Sequence, residues 1–137
     1  MADELVLIVD DNEKNVKLAR DVLRFAGFRT IEAGTGGKGV ALAGEHLPDV
    51  ILMDIRLPDM DGTAAAHELK KDTRTAGIPV VALTSFAMKG DRERFLSEGF
   101  DGYLEKPISV KDFPEQVRGF CAGGGSGSAA AGVVPRP

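Results

Sequence analysis

Five polar residues stand where apolar runs of the chain stop. Asp10 and Asp11 follow "LVLIV", Asp54 follows "VILM", Thr84 ends "IPVVALT", and Lys106 lies just past "GYLE". Three carboxylates gathered in one pocket repel, and each raises the pKa of the others unless a cation joins them. An acidic, all-oxygen, partly hydrated cleft suits Mg²⁺, with Mn²⁺ as a substitute, because hard cations prefer octahedral oxygen ligands. Lys106 adds a fixed positive charge and Thr84 a hydroxyl donor. That inventory fits phosphoryl transfer, in which alignment and charge neutralisation do most of the work. Asp54 is the candidate nucleophile, since a carboxylate can form an aspartyl-phosphate.

Such a pocket requires elements that deliver all five residues to one edge. "LVLIV" (Leu5–Val9) is too short and too β-branched for a helix and reads as a fully buried strand. Asn12 then resembles an N-cap, Val16, Ala19, Val22, Leu23 and Ala26 recur at helical spacing, and Gly27 marks the stop. The same reading gives strands at 28–33, 50–53, 78–84 and 102–105. Helices are expected within 35–46 (softened by glycines), 63–71, 88–98 and 110–120. Short buried strands alternating with helices predict an α/β fold, a doubly wound parallel sheet of five strands with five helices. In such sheets ligands sit beyond the carboxyl ends of the strands, where the five residues fall.

The chain of 137 residues is 43% hydrophobic and 28% charged, enough for one packed domain. A net charge of −4 argues against direct nucleic-acid binding, which favours a basic face. A single cysteine, Cys121, excludes an intramolecular disulfide, and no apolar run is long enough to insert in a membrane. These features predict a cytoplasmic protein. From Gly123 the composition shifts to "GGGSGSAAAGVVPRP", so residues 1–122 are expected to form the phosphoacceptor domain and 123–137 a flexible Gly/Ala/Ser-rich tail.

The motifs "LIVDDN", "ILMDIRLPDMDG", "VVALTSFA" and "GYLEKPI" resemble, in order, those of bacterial response-regulator receiver domains over residues 4 to 121. The later part is especially similar to single-domain regulators of the DivK type. The resemblance implies a flavodoxin-like fold of strand order 2-1-3-4-5. It implies a two-component phosphorelay regulator whose Asp54 takes a phosphoryl group from a histidine kinase or histidine phosphotransfer protein. Asp11 and Asp54 would bind the metal directly, Asp10 through water, and the Arg56 backbone carbonyl would complete the protein ligands. Thr84 and Tyr103 would form the hydroxyl–aromatic switch. Arg56 and Phe86 would influence the lifetime of the phosphoryl group, and the Lys106–Pro107 peptide would be cis. Output would pass to a downstream protein target, with the region around the fourth helix and fifth strand, including "KGDRER", as a partner surface. The domain would be a phosphoacceptor switch that assists its own chemistry, not a turnover enzyme.

Other signals fare worse. "GTGGKGV" has Glu32 and Gly39 where a P-loop needs Gly and Ser or Thr. "LPDMDGTAAAHE" places Asp59, Asp61 and Glu68 in EF-hand phase, but Leu57 occupies the first ligand position and Pro58 follows. Asp61-Gly62 reads better as a turn. His46 and His67 lack triad partners, and Cys121 lacks a partner to activate it. Two rival functions remain, a Mg²⁺-dependent phosphohydrolase with an aspartyl-phosphate intermediate and a phosphorylation-independent interaction module. The hydrolase would want a carboxylate two residues after the nucleophile, where Arg56 stands. Nothing structured is expected after Phe120, so no DNA-binding output domain is expected either. Ordering the tail would oppose roughly 1–2 kcal/mol of backbone entropy per residue. Burying Val133 and Val134 would return only about 1.5–3 kcal/mol each. Deleting residues 123–137 is therefore expected to leave the melting temperature and the phosphorylation rate unchanged, checked by thermal melts and by timed phosphate incorporation.

Overall fold

A computed structural model describes residues 4–85, 91–106 and 108–121, the side chains of residues 91 and 92 excepted. Phe86, the first turn expected of the fourth helix, the Lys106–Pro107 peptide and the tail from residue 123 lie outside the described residues. Five strands, β1 (Leu5–Val9), β2 (Arg29–Ala33), β3 (Val50–Asp54), β4 (Val80–Thr84) and β5 (Gly102–Glu105), alternate with five helices. The helices are α1 (Glu13–Phe25), α2 (Gly36–His46), α3 (Gly62–Lys71), α4 (Asp91–Ser97) and α5 (Phe113–Phe120). Every strand pair is parallel and the order is β2-β1-β3-β4-β5, the expected doubly wound topology.

The alternation of side chains along each strand divides the core in two. Val6 and Ile8 of β1, Val50 and Leu52 of β3, and Val81 and Leu83 of β4 pack under α1 and α5, with Leu23, Phe113 and Val117. Leu7, Val9, Ile51, Met53, Val80 and Ala82 face the other way, toward Ala43, Ala65, Leu69 and Phe95. All residues of β3 and β4 are buried, which is why both read as unbroken apolar runs. One glycine of α2, Gly39, follows from the same packing. A Cβ on Gly39 would lie 2.8 Å from Val9 Cγ2, so α2 reaches β1 only because that side chain is absent.

Helix ends follow local rules. Asn12 Oδ1 accepts the N–H groups of Lys14 (2.9 Å) and Asn15 (3.2 Å) at the start of α1. At its end Gly27 has φ 101, its N–H donates to Arg24 O, and Phe28 N–H donates to Leu23 O, a Schellman closure. That closure absorbs Phe28, so β2 begins one residue later than its sequence suggests. β4 begins at Val80, two residues later than expected, because Pro79 has no N–H for the ladder.

α5 departs most from expectation, starting at Phe113 and not at Val110. Pro114 is tolerated only in a helix's first turn. The preceding residues instead form a turn in which Ser109 O accepts Phe113 N–H at 2.8 Å. α2 closes on Leu47, a non-glycine residue at φ 47 and ψ 62, followed by Pro48. Leu47 is 54% exposed, so its side chain returns little burial energy for the left-handed backbone. Leu47→Gly is expected to stabilise the fold by about 0.5–1 kcal/mol, measured as a shift of the denaturation midpoint.

Candidate phosphoacceptor site

The site assembles at the carboxyl edge of the sheet, where β1, β3, β4 and β5 deliver one or two polar residues each. Asp10 leaves β1 with its N–H on Ala33 O at 3.0 Å, at the end of β2. Its Oδ1 accepts Asn12 N–H at 2.9 Å, which leaves Oδ2 aimed into the cleft. Asp54 is the last residue of β3, in register with Leu83, one residue deeper in the ladder than the sequence suggests. Its Oδ1 accepts Arg56 N–H at 3.2 Å, and again Oδ2 is left over. Lys106 is fixed by its own backbone, whose N–H donates to Thr84 O at 2.7 Å. Its ammonium then sits 3.2 Å from Asp10 Oδ2 and 3.4 Å from Asp54 Oδ2.

Carboxylate oxygens of Asp10, Asp11 and Asp54 all lie within 4.8 Å of one another. Asp10 is 2% exposed and Asp54 8%, whereas Asp11 faces solvent. Three carboxylates against one ammonium leave two negative charges, the charge of one divalent cation. Among the described residues, Asp10 Oδ2 is the buried side-chain oxygen that accepts no hydrogen bond, because Lys106 stands at ion-pair distance without hydrogen-bond alignment. Lys106 offsets part of its charge but gives it no aligned donor, so the oxygen keeps acceptor capacity for a further cation or its water. The donor set, all carboxylate oxygen with one member open to water, fits Mg²⁺.

Burial first, and then the Asp10 carboxylate, pushes the Asp54 pKa above its ordinary value, against the opposing pull of Lys106. The remaining expected residues surround this centre. Thr84 ends β4, buried, on the sheet face shared with Ala82 and Tyr103. Tyr103 is half-buried with its ring 5.8 Å from that of Phe95. Arg56 is exposed and pairs with Asp61 in an isolated antiparallel bridge. Asp54, Arg56, Thr84 and Ser85 line one cleft, with Thr63 and Phe95 in its wall.

Two residues matter more than their sequence signals suggest. Gly62 reads as a turn residue, yet its N–H donates to Ile55 O at 2.7 Å and a Cβ there would overlap the Asp54 carbonyl oxygen. The start of α3 is thereby pressed against the backbone of Asp54 itself. Asp59, set aside as a calcium ligand, binds the amides of Gly36 (2.8 Å) and Gly37 (2.9 Å) at the start of α2. The glycine-rich stretch rejected as a P-loop does hold an anion, but that anion is a side chain of the same protein. The readings of the two histidines and the cysteine are met. His46 and His67 are exposed, and burial pushes the Cys121 thiol up to about 12, far from a reactive thiolate.

With a raised pKa, the folded state holds a proton on Asp54 more tightly than the unfolded chain does. Its contribution to stability is greatest at acid pH and is lost as pH rises from the ordinary carboxylate value through the folded-state value. Without divalent cations, Asp54→Asn is therefore expected to melt higher than the parent at neutral pH. Added Mg²⁺ should raise the parent's melting temperature more than the mutant's. Equal responses to Mg²⁺ in the two proteins would contradict the placement of the cation.

The comparisons with known proteins agree with this geometry. The response regulator receiver domain family matches residues 6–118. The polar-differentiation response regulator DivK of Brucella ovis is 47% identical over 115 residues, 84% of this chain and 94% of the relative. The solved receiver domain of a sensor histidine kinase from Pseudomonas aeruginosa, which has a magnesium ion coordinated in its active-site cleft, superposes with a TM-score of 0.79. Its identity is 34%, with 87% of this chain and 98% of that one covered. A CheY-like receiver domain protein from Methanospirillum hungatei gives a TM-score of 0.75 at 29% identity, covering 85% and 91% of the two chains. Sheet order, the acidic cluster at the strand ends, and these likenesses together establish that the chain belongs to the response-regulator receiver family and is DivK-like within it.

Proposed function

We propose that this domain is a phosphorylation switch in which Asp54 accepts a phosphoryl group from a histidine kinase or a histidine phosphotransfer protein. The observation that carries the reading is the triad of carboxylates within 4.8 Å, spanned by Lys106 at the carboxyl ends of β1 and β3. Asp54 Oδ2 is the oxygen without a backbone donor and is the one that would attack phosphorus. The bond from phosphorus to the donor imidazole nitrogen breaks as the acyl phosphate forms, its electron pair stays on that nitrogen, and a ring already protonated on its other nitrogen leaves as neutral imidazole.

Mg²⁺, held by Asp11 and Asp54, by Asp10 through water and by the Arg56 carbonyl, would neutralise charge on the phosphoryl oxygens. Lys106 is placed to follow that charge, since its ammonium already touches Asp54 Oδ2 and its backbone is clamped by Thr84. The Thr84 hydroxyl would donate to a second phosphoryl oxygen. Because Tyr103 lies on the same sheet face, in the apolar cluster with Phe95, a shift of Thr84 would open space for that ring. The changed surface around α4 and β5 would then be read by a protein partner. Among the described residues no helix is long and apolar enough to cross a membrane.

Incubation with acetyl phosphate and Mg²⁺, followed by intact-mass measurement, tests the reading. One phosphoryl adduct is expected on the parent and none on Asp54→Asn, whose amide is a poor nucleophile of nearly the same shape. Sustained turnover of the phosphodonor would instead indicate a phosphohydrolase. No adduct on the parent would indicate an interaction module that works without phosphorylation.

A further inference from the structure

The loop that follows the acceptor is fastened at its base and at its tip. At the base, Gly62 N–H donates to Ile55 O at 2.7 Å and Arg56 bridges Asp61. At the tip, the two Asp59 carboxylate oxygens accept the amides of Gly36 and Gly37, the first two residues of α2, at 2.8 and 2.9 Å. Met60 covers the same spot so closely that a Cβ on Gly36 would lie 2.6 Å from Met60 Cγ. The Gly37 and Gly36 amides hold the Asp59 carboxyl below the usual carboxylate range, so the clasp stays ionised at neutral pH.

α2 is in turn tied to the other half of the site. β2 runs into α2 through Gly34 and Thr35, and Ala33 O, at the end of β2, accepts Asp10 N–H at 3.0 Å. Contacts therefore close a ring from Asp54 through its loop to Asp59, across to α2, back along Ala33 and on to Asp10. The two ends of that ring are carboxylates of the same acidic cluster.

We infer that Asp59 is a positioning residue for the divalent-cation site, an inference that rests on the metal-assisted switch proposed above. It fixes the loop that bears Arg56 at a set distance from Asp10 and Asp11, so that the cation meets ligands already in place. A residue that only capped α2 would contribute to stability and leave cation affinity alone. Outer-shell contacts that hold ligands in place do affect affinity.

Calorimetric titration with Mg²⁺ alone, on the full chain, separates the two. Asp59→Asn removes the charge and one of the two acceptors, and should weaken Mg²⁺ binding by about tenfold. Gly36→Ala, which forces Met60 off α2 without harming a helical position, should weaken it in the same direction. Adding Met60→Ala to Gly36→Ala should restore the parent's affinity. Asp72→Asn, which breaks an ion pair with Arg74 in a solvent-exposed segment after α3, should leave affinity unchanged whatever it does to the melting temperature. If Asp59→Asn does not fold, the Gly36 variant and its rescue decide the matter. A parent that binds Mg²⁺ while these variants match it would overturn this inference alone. A parent that binds no Mg²⁺ would overturn the metal-assisted reading as well.

Discussion

Lys106 sits between two buried carboxylates, 3.2 Å from one and 3.4 Å from the other, and most of the upper edge of the sheet is arranged around that contact. Without the ammonium, Asp10 and Asp54 would be like charges in a low-dielectric setting, where repulsion is several times stronger than in water. With it, the pair still carries excess negative charge, and Asp54 remains harder to ionise than an ordinary aspartate. The site is thus incomplete by construction. It is stable enough to fold, and its excess negative charge is what the proposed divalent cation would offset.

The backbone holds this imbalance in place. Asp10 and Asp54 each have one oxygen occupied by an N–H two residues on, from Asn12 and from Arg56, so the other oxygen is presented to the cleft. Lys106 is oriented by its own amide on Thr84 O, one strand away. No lever of flexible side chains is needed, because strand register already sets the spacing. The chemistry is confined to the ends of strands whose interiors are fully buried. Gly62 and Gly39 allow the helices on one face to approach β3 and β1 as closely as that spacing requires.

Much of this was legible in the sequence. Buried parallel strands have to be short apolar runs, so a polar residue where such a run stops marks both the strand and the rim. Asp10, Asp11, Asp54, Thr84 and Lys106 announced themselves in that way, and their joint presence pointed to a cation and a phosphoryl group. The errors also have physical causes. Helical periodicity over 110–120 suggested a longer α5, yet Pro114 carried a stronger constraint than the pattern. Leu47 gave no warning of its left-handed backbone, because the demand comes from the tight exit of α2 before Pro48 and not from leucine. Asp59 reads in the sequence only as a candidate calcium ligand, and only the docking of its loop on α2 gives its charge a partner.

The sequence by itself determined the order of elements, the parallel sheet they form and which polar residues stand at the strand ends, since these depend on period, strand length and residue chemistry within a few positions of the chain. What only the tertiary structure decided is which oxygen of Asp10 and of Asp54 faces the cleft and Lys106, that Asp54 resists ionisation, and how the loop after it is clasped to α2. Those properties arise from distances between residues far apart in the chain, such as Asp10 with Lys106 and Asp59 with Gly36, and from the burial that the surrounding core imposes on them. Local pattern carries no record of either, because electrostatic strength depends on separation and on the exclusion of water, and both are fixed only when the elements pack.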